Sequence, residues 1–141
     1  VVQPEAATGE ASIRGLNLLL AEDNELNAEI AARLLNDEGA TVQVVRDGQQ
    51  AIDAFASKPQ GTYDAILMDI MMPKIDGYTA TRVIRSTNRQ DAKAIPIIAM
   101  TAHVFDEDVK QCLEAGMNAH LPKPLQMEKV VSTIARLCKR K

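Results

Sequence analysis

Five short apolar runs, each followed by a stretch with helical spacing, constrain this 141-residue chain more than any other feature. The runs are Leu16–Ala21, Thr41–Val45, Ala65–Asp69, Ile95–Met100 and Ala119–Leu121. They are near-continuous rather than alternating, the pattern of parallel strands buried on both faces. Leu26, Ile30 and Leu34 mark a first helix, which Gly39 ends. Asp47 and Gln50 form a capping-box pair opening a second, which carries Ala51, Ile52 and Phe55. Tyr78–Arg85 is a short third helix. Val109, Cys112 and Leu113 mark a fourth, closed by Gly116, and Met127, Val130, Ile134 and Leu137 a fifth. Strand–helix alternation repeated in this way predicts an α/β doubly wound sheet with right-handed crossovers.

The length suits one domain with a core that needs no disulfide or structural metal. Residues Val1–Gly15 are small and polar without periodicity and read as a linker, leaving 16–141 as the domain. Because the first residue is Val, the sequence reads as a fragment of a longer chain, although an engineered truncation would look the same. A net charge of −3 argues against nucleic acid as a partner, since phosphate backbones require basic patches. Arg136, Lys139, Arg140 and Lys141 are the one basic cluster, read as cations complementing a helix C-terminus. Cys112 and Cys138 form no C-x-x-C motif and read as packed, reduced thiols; His103 and His120 are not spaced as a metal pair. No apolar run approaches the roughly 18 residues of a membrane span, and no signal peptide is visible. The expected location is cytoplasmic, without direct membrane contact by this domain, whether or not a parent chain is membrane-anchored.

Ligands of a doubly wound sheet bind beyond the carboxyl ends of its strands, where strand order reverses. Those ends carry Glu22-Asp23, Asp69, Thr101 and, just past the fifth run, Lys123. If the first and third strands are neighbours, three carboxylates share a crevice. At an effective dielectric near 20, two such charges 4 Å apart repel by about 4 kcal/mol. The cluster must therefore bind a cation, hold protons or pair with lysine, and a hard divalent ion such as Mg²⁺ suits an all-oxygen donor set. Taken singly, Asp23 and Asn24 read equally as helix caps, Asp69 as a strand-end turn residue and Lys123 as a solvated lysine. Their coincidence at the strand ends is what singles them out. A carboxylate beside Mg²⁺ can attack phosphorus to give an acyl phosphate, while the metal and a lysine neutralise the transferring oxygens.

At these residues the sequence closely resembles the receiver domains of bacterial-type response regulators in two-component signalling. The matching pieces are Glu22-Asp23-Asn24, Asp69-Ile70-Met71-Met72-Pro73, Asp76-Gly77, Pro96 to Ala102, Gly116 and Pro122-Lys123-Pro124, all in order within residues 16–138. The resemblance implies a flavodoxin-like fold of five parallel strands in the order 2-1-3-4-5 with five helices. It implies Asp69 as phosphoacceptor, and Asp23, Asp69 and the main-chain carbonyl of Met71 as Mg²⁺ ligands, with Glu22 acting through metal-bound water. Lys123 would pair with the phosphoryl group, Thr101 would swing toward it, the Ala102 amide would assist, and Lys123–Pro124 would be cis. Partners implied are a histidine kinase dimerisation domain or a histidine phosphotransfer protein. Because a donor histidine must approach Asp69 in line, and the first helix borders the strand-one end of the crevice, docking is expected near Asn24, Asn27 and Ala28.

Two positions depart from the common pattern: His120 stands where many receivers carry Tyr or Phe, and Met71 where some relatives are polar. Glu22-Asp23-Asn24-x-x-Asn27 and Cys112 to Pro124 resemble receivers fused to histidine kinases, which points to a hybrid sensor kinase as parent and a stand-alone regulator as the alternative. An Asp-nucleophile phosphatase of the haloacid dehalogenase type needs an acid at the position of Met71. The acidic run after the first strand would repel flavin phosphate, and no P-loop motif is present.

Overall fold

Consecutive residues of each inner strand belong to two different cores, and this sets the architecture. The computed structural model describes residues 12–101 and 106–138. Strands β1 (Asn17–Ala21), β2 (Thr41–Val45), β3 (Ala65–Asp69), β4 (Ile97–Thr101) and β5 (Ala119–Pro122) form one parallel sheet in the order β2-β1-β3-β4-β5. Leu18, Leu20, Leu67, Ile98 and Met100 point to one face, where Leu35 of α1 (Glu25–Asp37) and Val130 and Ile134 of α6 (Met127–Leu137) cover them. Leu19, Ala21, Ile66, Met68, Ile97 and Ala99 point to the other. There Phe55 of α2 (Gly48–Ser57), Ile84 of α3 (Gly77–Ser86) and Cys112 of α5 (Asp106–Ala115) complete the layer. This pleat-driven division is why the inner strands are apolar at nearly every position.

The five expected strands and their order are present, with small changes of boundary. β4 starts at Ile97 because Ile95 caps an additional helix, α4 (Gln90–Ala94), and Pro96 has no N–H for the ladder. This sixth helix escaped the sequence reading because five mostly polar residues with a single buried side chain, Ala92, carry no period. β2 is a sheet edge: Thr41, Gln43 and Val44 are exposed, so it is not buried on both faces. Ile13, within the stretch read as linker, is fully buried beside Leu16 and Leu18.

Helix α1 differs from its expected amphipathicity. Leu26, Ile30 and Leu34 face outward, 65%, 50% and 37% exposed, while Ala28, Ala31 and Leu35 face the sheet. Small alanines let the helix approach the strands closely, a requirement of packing that a count of large apolar residues does not register. The expected caps hold: Asn24 and Asp47 accept from the third backbone N–H beyond them, at 2.9 and 2.8 Å, and Asp76, which the sequence did not single out as a cap, does the same for α3 at 2.8 Å. Gln50 does not close the reciprocal box on Asp47; its side chain accepts from Arg46 N at 2.8 Å. Gly39 and Gly116 end α1 and α5 in the left-handed region. Cys112 is buried and Cys138 half-buried, and neither is in a disulfide. Among the described residues no helix is long and apolar enough to cross a membrane.

Candidate functional site

β1 and β3 are hydrogen-bonded neighbours, so the segments leaving them open side by side at the carboxyl edge of the sheet. Carboxylate oxygens of Glu22, Asp23 and Asp69 all lie within 4.8 Å of one another. Glu22 and Asp69 are almost fully enclosed, whereas Asp23 faces solvent. Lys123 reaches in from the end of β5 and joins the two buried groups, with Nζ 2.8 Å from Glu22 Oε1 and 3.1 Å from Asp69 Oδ2. The Lys123–Pro124 bond is cis, as expected.

The remaining lone pairs are directed by backbone. Glu22 Oε2 accepts from Asn24 N at 3.1 Å, and Asp69 Oδ1 accepts from Met71 N at 3.2 Å. The turn that returns the chain to α3 is tight because residue 77 is glycine: a Cβ there would lie 2.4 Å from the Asp69 carbonyl oxygen. Gly77 N donates to Ile70 O at 2.9 Å, closing that turn. Any side chain at 77 would displace the backbone of Asp69 itself.

Burial pushes the Asp69 carboxyl up to about 6, reinforced by its neighbour Glu22 and partly offset by Lys123. Burial works against the Glu22 carboxylate too, but the Lys123 ammonium and the Asn24 amide outweigh it and hold Glu22 below its ordinary value. The two acids diverge because burial and the neighbouring Glu22 weigh most on Asp69, whereas Glu22 gains hydrogen bonds from both Lys123 and the Asn24 amide. Burial disfavours the Lys123 ammonium as well, yet its two carboxylate partners prevail and raise it. Among the described residues Lys123 is the one cation ion-paired within this cluster of three carboxyl groups, which leaves the crevice short of positive charge. An all-oxygen donor set with one open member fits a hard divalent cation that retains water.

Thr101 closes β4, with its side chain largely buried; its predecessor Met100 is the register partner of Asp69, and its own carbonyl accepts from Lys123 N at 2.8 Å. The sequence-predicted Glu22, Asp23, Asp69, Thr101 and Lys123 therefore occupy one edge of the sheet. Met71 contributes its amide to Asp69, and its side chain is 77% exposed. Ala102 and His103 lie outside the described residues. His120 pairs in register with Ala99 and lines a groove with Cys112, Leu113 and Arg136 away from the acidic cluster.

Ala28, expected on a docking face, is buried; a cavity of about 420 Å³ is instead lined by its helix neighbours Asn27 and Ala31. Asn27, Ile30 and Leu34 form one wall, Pro124 and Leu125 the other, and Glu22 and Lys123 also line it. Sequence reasoning also missed Arg46, whose Nη2 donates to Asp23 O at 3.0 Å; no local pattern connects residues so far apart in the chain.

The family model for the response regulator receiver domain matches residues 18–135. The chain belongs to this family. It is 38% identical to Histidine kinase 1 of Arabidopsis thaliana over 160 aligned positions, covering 92% of this chain and 13% of that protein. It thus spans a small fraction of the length of such relatives. The receiver domain of sensor histidine kinase PA1611 from Pseudomonas aeruginosa PAO1, crystallised with magnesium in its active-site cleft, superposes with a TM-score of 0.79 at 39% identity, over 89% of this chain and 98% of that one. The receiver domain of the Saccharomyces cerevisiae response regulator Ssk1, in complex with the histidine phosphotransfer protein Ypd1, gives 0.78 at 26% identity, over 88% of this chain and 89% of that one.

Proposed function

We propose that this receiver domain takes a phosphoryl group from phosphohistidine onto Asp69, with Mg²⁺ bound, and relays it or changes conformation in a phosphorelay. The observation that carries this reading is the buried Asp69 carboxylate, held at a strand end by Lys123 and by the Met71 amide among two further acids. A carboxylate oxygen of Asp69 attacks phosphorus; the P–N bond of the donor breaks as the new O–P bond forms, and the imidazole leaves with the electron pair. Lys123, already bonded to Asp69, is placed to follow negative charge onto the phosphoryl oxygens. Glu22, Asp23, Asp69 and the main-chain carbonyl of Met71 would hold Mg²⁺, whose chemistry there is charge neutralisation. Thr101, at the adjacent strand end, would hydrogen-bond the phosphoryl group once it has arrived.

The donor would be a histidine phosphotransfer protein or a kinase dimerisation domain. It would seat an apolar helix face on Ile30 and Leu34 and in the cavity beneath them, from which its imidazole reaches Asp69. The similarity to histidine kinases supports a hybrid sensor kinase as parent, with the domain working in the cytoplasm. Intact-mass spectrometry with phosphoramidate and Mg²⁺ tests the reading: one phosphoryl mass is gained by the wild type and none by Asp69→Asn. A stable gain by the variant, mapped to the same segment, would make another residue the acceptor.

A further inference from the structure

The turn between β2 and α2 touches both acid-bearing loops, although β2 is hydrogen-bonded to neither β3 nor the segment after it. Three consecutive residues make the contacts. Arg46 crosses to the loop after β1 and donates from Nη2 to Asp23 O at 3.0 Å. Its Nε is enclosed without a hydrogen-bond partner. An arginine on a sheet edge avoids such a loss by turning to solvent, so its inward position reflects the contacts it makes there. Asp47 is buried at the cap of α2 and directs its second oxygen at Lys74 Nζ, 3.6 Å away in the loop after β3. Lys74 is the one non-glycine among the described residues with a positive φ, 67°.

The third contact is steric. A Cβ on Gly48 would lie 2.1 Å from Ile75 O and 2.8 Å from Ile75 C, a collision with backbone that no rotamer relieves. The loop after β3 therefore rests directly on the first residue of α2. It runs from Asp69 to Gly77, and both of its ends are fixed. A push at Ile75 is thus returned toward Met71 and Asp69, the Gly77 end being pinned against the Asp69 carbonyl.

We infer that Arg46, Asp47 and Gly48 form a bracket that sets the spacing between the Asp23 loop and the Asp69 loop, and so tunes the affinity of the site for a divalent cation. These are positioning residues; none offers a ligand. The inference rests on the reading of the acidic cluster as a Mg²⁺ site. Electrostatics and positioning predict opposite signs for Arg46: removing a cation beside a metal site tightens binding, whereas loosening the Asp23 loop weakens it.

The test is a Mg²⁺ titration of the full chain followed by backbone amide resonances, with circular dichroism as the control for folding. Gly48→Ala is neutral in charge and favours helix, so lost affinity cannot arise from charge or from helix propensity. Arg46→Met keeps the stem and removes donor and charge. Both variants are expected to raise the Mg²⁺ dissociation constant at least 3-fold, and to shift the Asp23 and Asp69 amides before metal is added. If Gly48→Ala does not fold, Arg46→Met decides. A dissociation constant in Arg46→Met equal to or below that of the wild type overturns the bracket and leaves the metal reading intact. Absence of any Mg²⁺ response in the wild type overturns both.

Discussion

Neutralising the proposed acceptor should make the fold more stable, by an amount that depends on pH in a defined way. Asp69 is enclosed beside Glu22, and its carboxyl is raised from 3.8 to about 6. A carboxyl raised in the folded state favours folding below its unfolded value, and that contribution disappears as pH rises through the folded value. At about 1.4 kcal/mol per pKa unit, the charged form of Asp69 opposes folding by about 3 kcal/mol at pH 7, by about half of that at pH 5 and by little at pH 4. Asn approximates the protonated acid in shape and leaves Lys123 its stronger bond to Glu22. Asp69→Asn is therefore expected to unfold later in urea by about 1–3 kcal/mol at pH 7 in chelator, with the gain shrinking toward zero by pH 4. Adding 10 mM Mg²⁺ should stabilise the wild type by about 1.4 kcal/mol, for an affinity of about 1 mM, and the variant by less. Equal or lower stability of the variant at pH 7, or a gain that does not change between pH 4 and 7, would refute the assignment of Asp69 as an ionised, underpaired acid.

Lys123→Ala leaves two enclosed carboxyl groups without their cation and should destabilise the domain by about 2 kcal/mol in urea denaturation, while slowing phosphorylation by phosphoramidate. Ile30→Arg adds a charge to an already exposed position. It should cut transfer from a phosphohistidine protein at least 10-fold and leave acetyl phosphate labelling unchanged; equal loss of both would indicate misfolding. Met71→Asn introduces a polar group beside Asp69 and should speed decay of the phosphorylated form about 3-fold or more by mass spectrometry, whereas an unchanged rate would remove Met71 as a determinant of lifetime. Thr101→Ala should accept the phosphoryl group at near wild-type extent but show smaller phosphorylation-dependent amide shifts, and full-sized shifts would remove the hydroxyl from the switch.

Parallel strands buried on both faces must be apolar at nearly every position, and strand ends that meet a ligand must be polar. Both demands are local, so the sequence by itself marked β1, β3 and β4, the helix caps at Asn24 and Asp47, and the polar ends Glu22, Asp23, Asp69, Thr101 and Lys123. What it could not mark depends on close approach between distant segments. Which face of α1 turns inward was decided by the small Ala28, Ala31 and the single Leu35 fitting against the sheet, leaving the larger Leu26, Ile30 and Leu34 outside. α4 is built mostly of good helix formers, but its five residues are too few to show a period, and it is held in place by Ala92, which the rest of the fold covers. The opposite displacements of the Glu22 and Asp69 carboxyl groups follow from their burial side by side and from Lys123, brought to them from 101 and 54 residues along the chain. The seating of the Asp69 loop on Gly48 is a backbone contact, and its only trace in the sequence is a glycine like the others.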